Sequence, residues 1–357
     1  MTPPTFDQLC DELDGTDLDA AALARQHHDT LTKPRGSLGR LEELGVQLCA
    51  IARECPPPVP EPAVIAVFAG DHGVVSAGVT PWPVEVTAQM VANFCAGGAA
   101  INVLGRHAGA DVVVVDVGVA TTIPGDTSSL VRRNVAPGTA NLALGPAMTF
   151  AQVQSALEVG VEVARTAVER GARLLVTGDM GIGNTTASAA LIAAFTGARA
   201  RDVTGRGTGI DDETWERKVA VVEGALARLA PGAAPRRVLS EVGGLEICAI
   251  AGFIVAGAAA RVPVVIDGVI SVAAALAATA CASAVPAYLV AGHRSSEPGA
   301  SVGLAHLGLD PLLDLSLRLG EGSGGALAIS LVQAAAKIMR DMATFDSAGV
   351  SERSASS

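Results

Sequence analysis

The sequence predicts a parallel α/β fold, a sheet covered on both faces by helices. Five apolar, β-branched runs recur along the chain: AVIAVFAG (63–70), DVVVVDVG (111–118), RLLVTG (173–178), VPVVIDG (262–268) and AYLVAG (287–292). Helix-like stretches separate them, and near-continuous apolar runs alternating with helices mark doubly buried parallel strands. Composition agrees. Half of the residues are hydrophobic and 40 of the 357 are glycine, against seven Phe, two Trp and one Tyr. A core of small aliphatic side chains suits close helix-on-sheet packing.

In chain order, SLGRLEELGVQLCAIA begins at Ser37, an N-cap candidate, and carries apolar residues at helical spacing. PPPVPEP (56–62) closes this region as a linker or domain entry. VTAQMVANFCAGGAAINVLGRHA (86–108) and FAQVQSALEVGVEVARTAVERGA (150–172) read as helical connections. No internal repeat is evident. Residues 268–292 carry no charge and are long enough to span a bilayer. Their Ala, Gly, Ser and Thr content and Pro286 favour a buried helix followed by a buried strand. The acidic N-terminus, MTPPTFDQLCDELDG, lacks the basic and apolar regions of a signal peptide. The polar tail AGVSERSASS (348–357) reads as frayed.

The net charge of −11 argues against nucleic-acid and anionic-membrane partners, while leaving room for a small anion held by local amides. Six cysteines without a C-x-x-C pairing read as buried, reduced thiols of a cytosolic protein. The carboxyl ends of the apolar runs hold most of the polar chemistry: AGDHG (69–73), DVGVA (116–120), TGDMGIGNTT (177–186), IDG (266–268) and AGHRSSEPG (291–299). Open parallel sheets bind ligands outside these ends.

Three loops are chemical candidates. In TGDMGIGNTTAS (177–188), Gly178, Gly183 and Thr185 match the glycines and hydroxyl of a Walker A loop, but Asn184 stands in the lysine position. Backbone amides at a helix start bind anions, so the loop suits a single phosphate. A tight turn with threonine caps is the alternative. GRGTGIDDE (205–213) is followed by Lys218, which either reaches a phosphate from outside that loop or is a solvated helix-start lysine. Asp211, Asp212 and Glu213 read as helix caps rather than metal ligands. Glu321 lies between glycines ahead of a helix. Partly desolvated, it would serve as a general base; as a helix-start carboxylate, its pKa would be lowered by the dipole. The residues alone leave both readings open. Zinc, nucleophile-elbow and dinucleotide motifs are absent from the sequence.

Taken together, these strings resemble one family. LTKPRGSLGRLEEL (31–44), AGDHGVV (69–75), EVTAQMVANF (85–94), GGAAINVL (97–104), GPAMT (145–149) and GDMGIGNTT (178–186) carry the likeness in its first half. GRGTGIDDE (205–213), EVGGLEICAIAGF (241–253), IDG (266–268), GHRSSEPG (292–299), LDLSLRLGEGSG (313–324) and MATFDSAGVSE (342–352) continue it in order. The chain is similar to nicotinate-nucleotide–dimethylbenzimidazole phosphoribosyltransferases of cobalamin lower-ligand assembly.

That resemblance implies transfer of the phosphoribosyl group of nicotinate mononucleotide to 5,6-dimethylbenzimidazole, with inversion at ribose C1 and no metal or cofactor. It implies a Rossmann-like three-layer α/β domain at 61–320. A smaller helical domain would come from 1–60 and 321–357, in a cytoplasmic homodimer. Glu321 matches the family's catalytic glutamate and Gln89 a residue of the base pocket. Gly181, Gly183, Asn184 and Thr185 match the phosphoribosyl-binding turn, and Lys218, Asp267, Gly268 and Ser295 match positions around the ribose phosphate and nicotinate. Two departures stand out. Asp179, assigned with Glu321 to catalysis, replaces a glutamate common in the family, and TPWPVEV (80–86), with Pro81 and Trp82, replaces a serine-bearing segment. A transferase for another azole or phenolic base is therefore one alternative, and a non-catalytic nucleotide-binding protein on the same fold is another. Asn184 disfavours a P-loop kinase.

Overall fold

The computed structural model describes residues 3–351. Six parallel strands form its centre: β1 (Ala63–Gly70), β2 (Asp111–Gly118), β3 (Val131–Arg132), β4 (Leu174–Met180), β5 (Val264–Ile266) and β6 (Leu289–Ala291). Their order is β3-β2-β1-β4-β5-β6, so the direction of winding reverses between β1 and β4. All five predicted runs are strands. β3 is an addition to them. It pairs only Val131 and Arg132 with Val115 and Asp116, too few residues for a periodicity to show.

β1 explains the layers. All eight of its residues are buried. Val64, Ala66 and Phe68 point into one apolar core, while Ala63, Ile65, Val67 and Ala69 point into the other. Strand side chains alternate between faces, so a strand covered on both sides must be apolar throughout. Helices Phe150–Glu169, Asn184–Thr196, Leu245–Ala259 and Val269–Cys281 supply the first core. Helices Glu85–Cys95, Ala100–Ala108 and Ser323–Asp341 supply the second. The uncharged stretch 268–292 is a helix and a strand, as expected, and among the described residues no helix is long and apolar enough to cross a membrane.

Glycine sets the spacing of the first layer. A Cβ at Gly160 would run into the Ala249 carbonyl oxygen, and one at Gly252 into that of Leu157, so helices Phe150–Glu169 and Leu245–Ala259 touch backbone to backbone. Gly160→Val is expected to destabilise the protein by about 1–3 kcal/mol or more, the scale of over-packing. Gly224→Ala, where an added Cβ meets nothing within 4 Å, is expected to be neutral or to stabilise by up to about 1 kcal/mol. Urea midpoints measure both, and equal midpoints would contradict this crossing.

Two helical expectations are corrected. The segment from Ser37 turns first: Gly36 and Gly39 have positive φ, and the helix is Arg40–Ala52 with Gly39 as its N-cap. Glu42 braces that turn by accepting from the Leu38 amide at 3.0 Å and pairing with Lys33 at 2.8 Å. The stretch 86–108 is two helices, because Gly97 (φ +77°) breaks it. At the periphery, Ala24 and Cys49 of helices Leu18–Thr30 and Arg40–Ala52 are buried against Met339 of helix Ser323–Asp341. The last six residues of the polar tail lie outside the described residues.

Candidate active site

The carboxyl ends of β4, β5 and β6 open onto a cavity of about 320 Å³. A smaller cavity of about 70 Å³ adjoins it, and both share Gly181, Asn184 and Thr185 as walls.

β4 ends in the turn Gly181–Gly183, and the helix Asn184–Thr196 starts directly after it. Gly183 has φ +95°, which a side chain would strain. A Cβ at Gly181 would collide with the Gly70 carbonyl oxygen of β1. Asn184 turns its amide back to Asp179, donating from Nδ2 to Oδ2 at 3.0 Å. Thr185 Oγ1 accepts from Lys218 Nζ at 2.8 Å, and Lys218 also donates to the Gly205 carbonyl at 3.2 Å.

Lys218 is therefore not a solvated lysine. It comes from helix Asp212–Leu226, whose N-cap is Asp211, and only 2% of its surface is exposed. Burial pushes its pKa down to about 8, with Glu297 opposing. Lys218 thus places a buried ammonium beside the start of helix Asn184–Thr196, an arrangement that favours anions.

Glu321 (φ +64°) stands between Gly320 (φ +81°) and Gly322 (φ +92°), three left-handed residues in succession. Asp267 holds this loop. Its carboxylate accepts from the amides of Gly322 (3.2 Å), Gly324 (2.8 Å) and Gly325 (3.0 Å). It also pairs with His293 Nε2 at 3.3 Å. The helix-start role that the sequence leaves open to Glu321 thus belongs to Asp267. Gly178 lets the loop lie on β4, since a Cβ there would sit 2.6 Å from the Glu321 carbonyl oxygen. Among the described residues, the Glu321 carboxylate has one hydrogen-bond partner, the Ile101 amide at 3.3 Å. Burial raises its pKa, the Ile101 amide opposing and the Asp267 charge adding.

Asp179 lines the same cavity. Its Oδ1 is buried without a partner among the described residues. Burial, and then the charges of Asp267 and Glu246, raise its pKa well above the usual carboxylate range. Gly268 and Ser295 complete this wall. Asp267 lies beneath it, spent on the loop amides. Gln89 does not line the cavity. It is exposed on helix Glu85–Cys95, which presents Val86 and Met90 to the cavity instead.

The family model described as "Phosphoribosyltransferase" matches residues 13–350. The chain is 53% identical over 351 residues to the nicotinate-nucleotide–dimethylbenzimidazole phosphoribosyltransferase of Salinispora tropica, covering 94% of this chain and 96% of that one. It is 54% identical over 335 residues to the corresponding protein of Chloroflexus aurantiacus, covering 94% and 95%. The crystal structure of the same-named protein from Thermus thermophilus aligns with a TM-score of 0.90 at 50% identity, covering 94% of this chain and all of that one. This chain belongs to the nicotinate-nucleotide–dimethylbenzimidazole phosphoribosyltransferase family.

In this member of the family, seven cavity residues that the sequence motifs did not single out are apolar: Val86, Met90, Met180, Ile182, Val269, Ile270 and Leu319. Only Val86 and Met90 carried a signal, their i,i+4 spacing on one helix. Trp82 lines the cavity and donates from Nε1 to Thr208 Oγ1 at 2.8 Å. Arg318 donates to the Gly207 carbonyl at 3.0 Å, tying the same glycine-rich loop from the other side.

Proposed function

We propose that this chain transfers the 5-phosphoribosyl group of nicotinate mononucleotide to 5,6-dimethylbenzimidazole, giving α-ribazole 5′-phosphate and nicotinate. The supporting observation is the pairing, in adjoining cavities, of a half-free, desolvated carboxylate, Glu321, with the buried cation and glycine turn at Lys218 and Gly181–Gly183. The turn and Lys218 hold the phosphate and so fix ribose C1. The azole seats against Val86, Met90 and Leu319. One ring nitrogen gives its proton to Glu321 while the other forms a bond to C1. The C1–N bond to nicotinate breaks on the opposite face, and its electron pair leaves with the pyridine nitrogen. Proton abstraction by a positioned base lowers the barrier only when that base is ionised, and a carboxylate whose pKa is raised is a stronger base.

Mass spectrometry after mixing the protein with both substrates tests this reading. α-Ribazole phosphate is expected, and its absence, with other azoles and phenols also inert, would overturn the enzyme reading. The helices of residues 1–60 and 321–357 are proposed as the small domain; the Ala24–Cys49–Met339 cluster supports this for the end of helix Ser323–Asp341, whose earlier turns pack on the sheet. The cytoplasmic homodimer is likewise a proposal, supported by the resemblance, and size-exclusion chromatography with light scattering checks the dimer.

A further inference from the structure

The phosphate turn rests on a histidine that the proposed mechanism does not use. His72 follows β1 and is 1% exposed. Three glycines from two segments cradle it. A Cβ at Gly181 would come within 3.4 Å of His72 Cδ2, one at Gly183 within 3.3 Å of its Cβ, and one at Gly244 within 2.5 Å of Cε1. The ring therefore fills the space directly behind the turn. Its Nε2 lies 2.6 Å from Glu246 Oε1, its Nδ1 is buried without a partner among the described residues, and neither side chain has any exposed surface. Glu246 is the second residue of helix Leu245–Ala259.

We propose that the His72–Glu246 pair is a positioning element for donor binding: an imidazolium packed behind Gly181 and Gly183 that fixes the turn and presents positive charge to the phosphate through it. The inference rests on the reading that this turn holds the donor's phosphate. Among the described residues, the charged groups that act on His72 are acidic: Glu246 across the pair and Asp71 on its own segment, with Asp179 on β4 feeling Glu246 in turn. Burial alone would lower the His72 pKa, but Glu246 and Asp71 outweigh it and raise the value. Lys218 meets the phosphate from the front of the turn and His72 backs it from behind. A loop without its own lysine thereby gains two cations from elsewhere in the chain.

Calorimetric titration of nicotinate mononucleotide and of its dephosphorylated nucleoside isolates the phosphate's contribution to affinity. In the wild-type protein the mononucleotide is expected to bind more tightly. Equal affinity would overturn the phosphate reading itself. In His72→Gln the advantage is expected to shrink about five- to tenfold, the scale on which a fixed charge near a helix terminus acts, while nucleoside affinity stays unchanged. Full retention of the advantage would overturn the role of His72 and leave the phosphate reading intact. Glu246→Gln, which keeps the shape of the pair, guards against a misfolded His72 variant and is expected to show the same loss. Nitrogen-15 spectra of histidine-labelled protein at neutral pH give a readout that simple packing would not move. Both His72 ring nitrogens are expected to be protonated in the wild type and one to lose its proton in Glu246→Gln. A neutral ring in the wild type would contradict the proposal.

Discussion

Glu321→Gln is expected to lower kcat by about two to four orders of magnitude, the usual contribution of a positioned base, while nicotinate mononucleotide still binds. The substitution keeps the size of the side chain and an acceptor for the Ile101 amide, which reaches Glu321 at 3.3 Å. It removes only the ability to take a proton. The pH profile gives a second test. Glu321 must be ionised to act, so kcat/KM should fall as the pH drops through its pKa. Burial raises that pKa, so the acidic limb should lie above the range of an ordinary glutamate. The limb should disappear in the variant. Single-turnover rates across pH measure both effects. Turnover within tenfold of wild type would remove Glu321 as the base.

Lys218→Met is expected to weaken nicotinate mononucleotide binding by about ten- to a hundredfold, the cost of losing a hydrogen bond from a charged group. Binding of dimethylbenzimidazole should hardly change. Methionine keeps the buried stem and deletes the ammonium that now contacts Thr185 and Gly205. Stability should move the other way. With a folded-state pKa of about 8 against 10.5 for a free lysine, the unfolded chain binds the extra proton more readily. Lys218 therefore destabilises the unliganded protein fully below pH 8, and this cost fades as the pH rises toward 10.5. Unliganded Lys218→Met is expected to melt no lower than wild type at pH 7. Wild-type affinity for the mononucleotide in this variant would contradict the phosphate assignment.

The sheet was legible because its long strands are buried on both faces. AVIAVFAG (63–70) has no polar position to confuse the reading, whereas two-residue β3 leaves no pattern to read. Helix limits failed where glycine decides them: Gly39 delays one helix and Gly97 divides another. In the site, the glycine turn was visible because positive φ and close backbone approach demand glycine at 181 and 183. Two questions about charge stayed open because they depend on burial. Sequence could not show that Lys218 packs inside, nor that Asp267, more than fifty residues earlier, takes the helix-start amides and leaves Glu321 facing the cavity. Gln89 shows the limit of resemblance. It stays exposed and off the cavity, although Val86, three residues before it on the same helix, and Met90, next to it, both line the cavity.

The proposed transfer is a single displacement at ribose C1, with the azole held by Glu321 on one face and nicotinate leaving from the other. Nicotinate mononucleotide labelled with carbon-13 at C1, incubated with the protein and dimethylbenzimidazole, reports this directly by nuclear magnetic resonance. One ribosyl product, of α configuration, is expected. A β product, or a mixture of the two anomers, would contradict it.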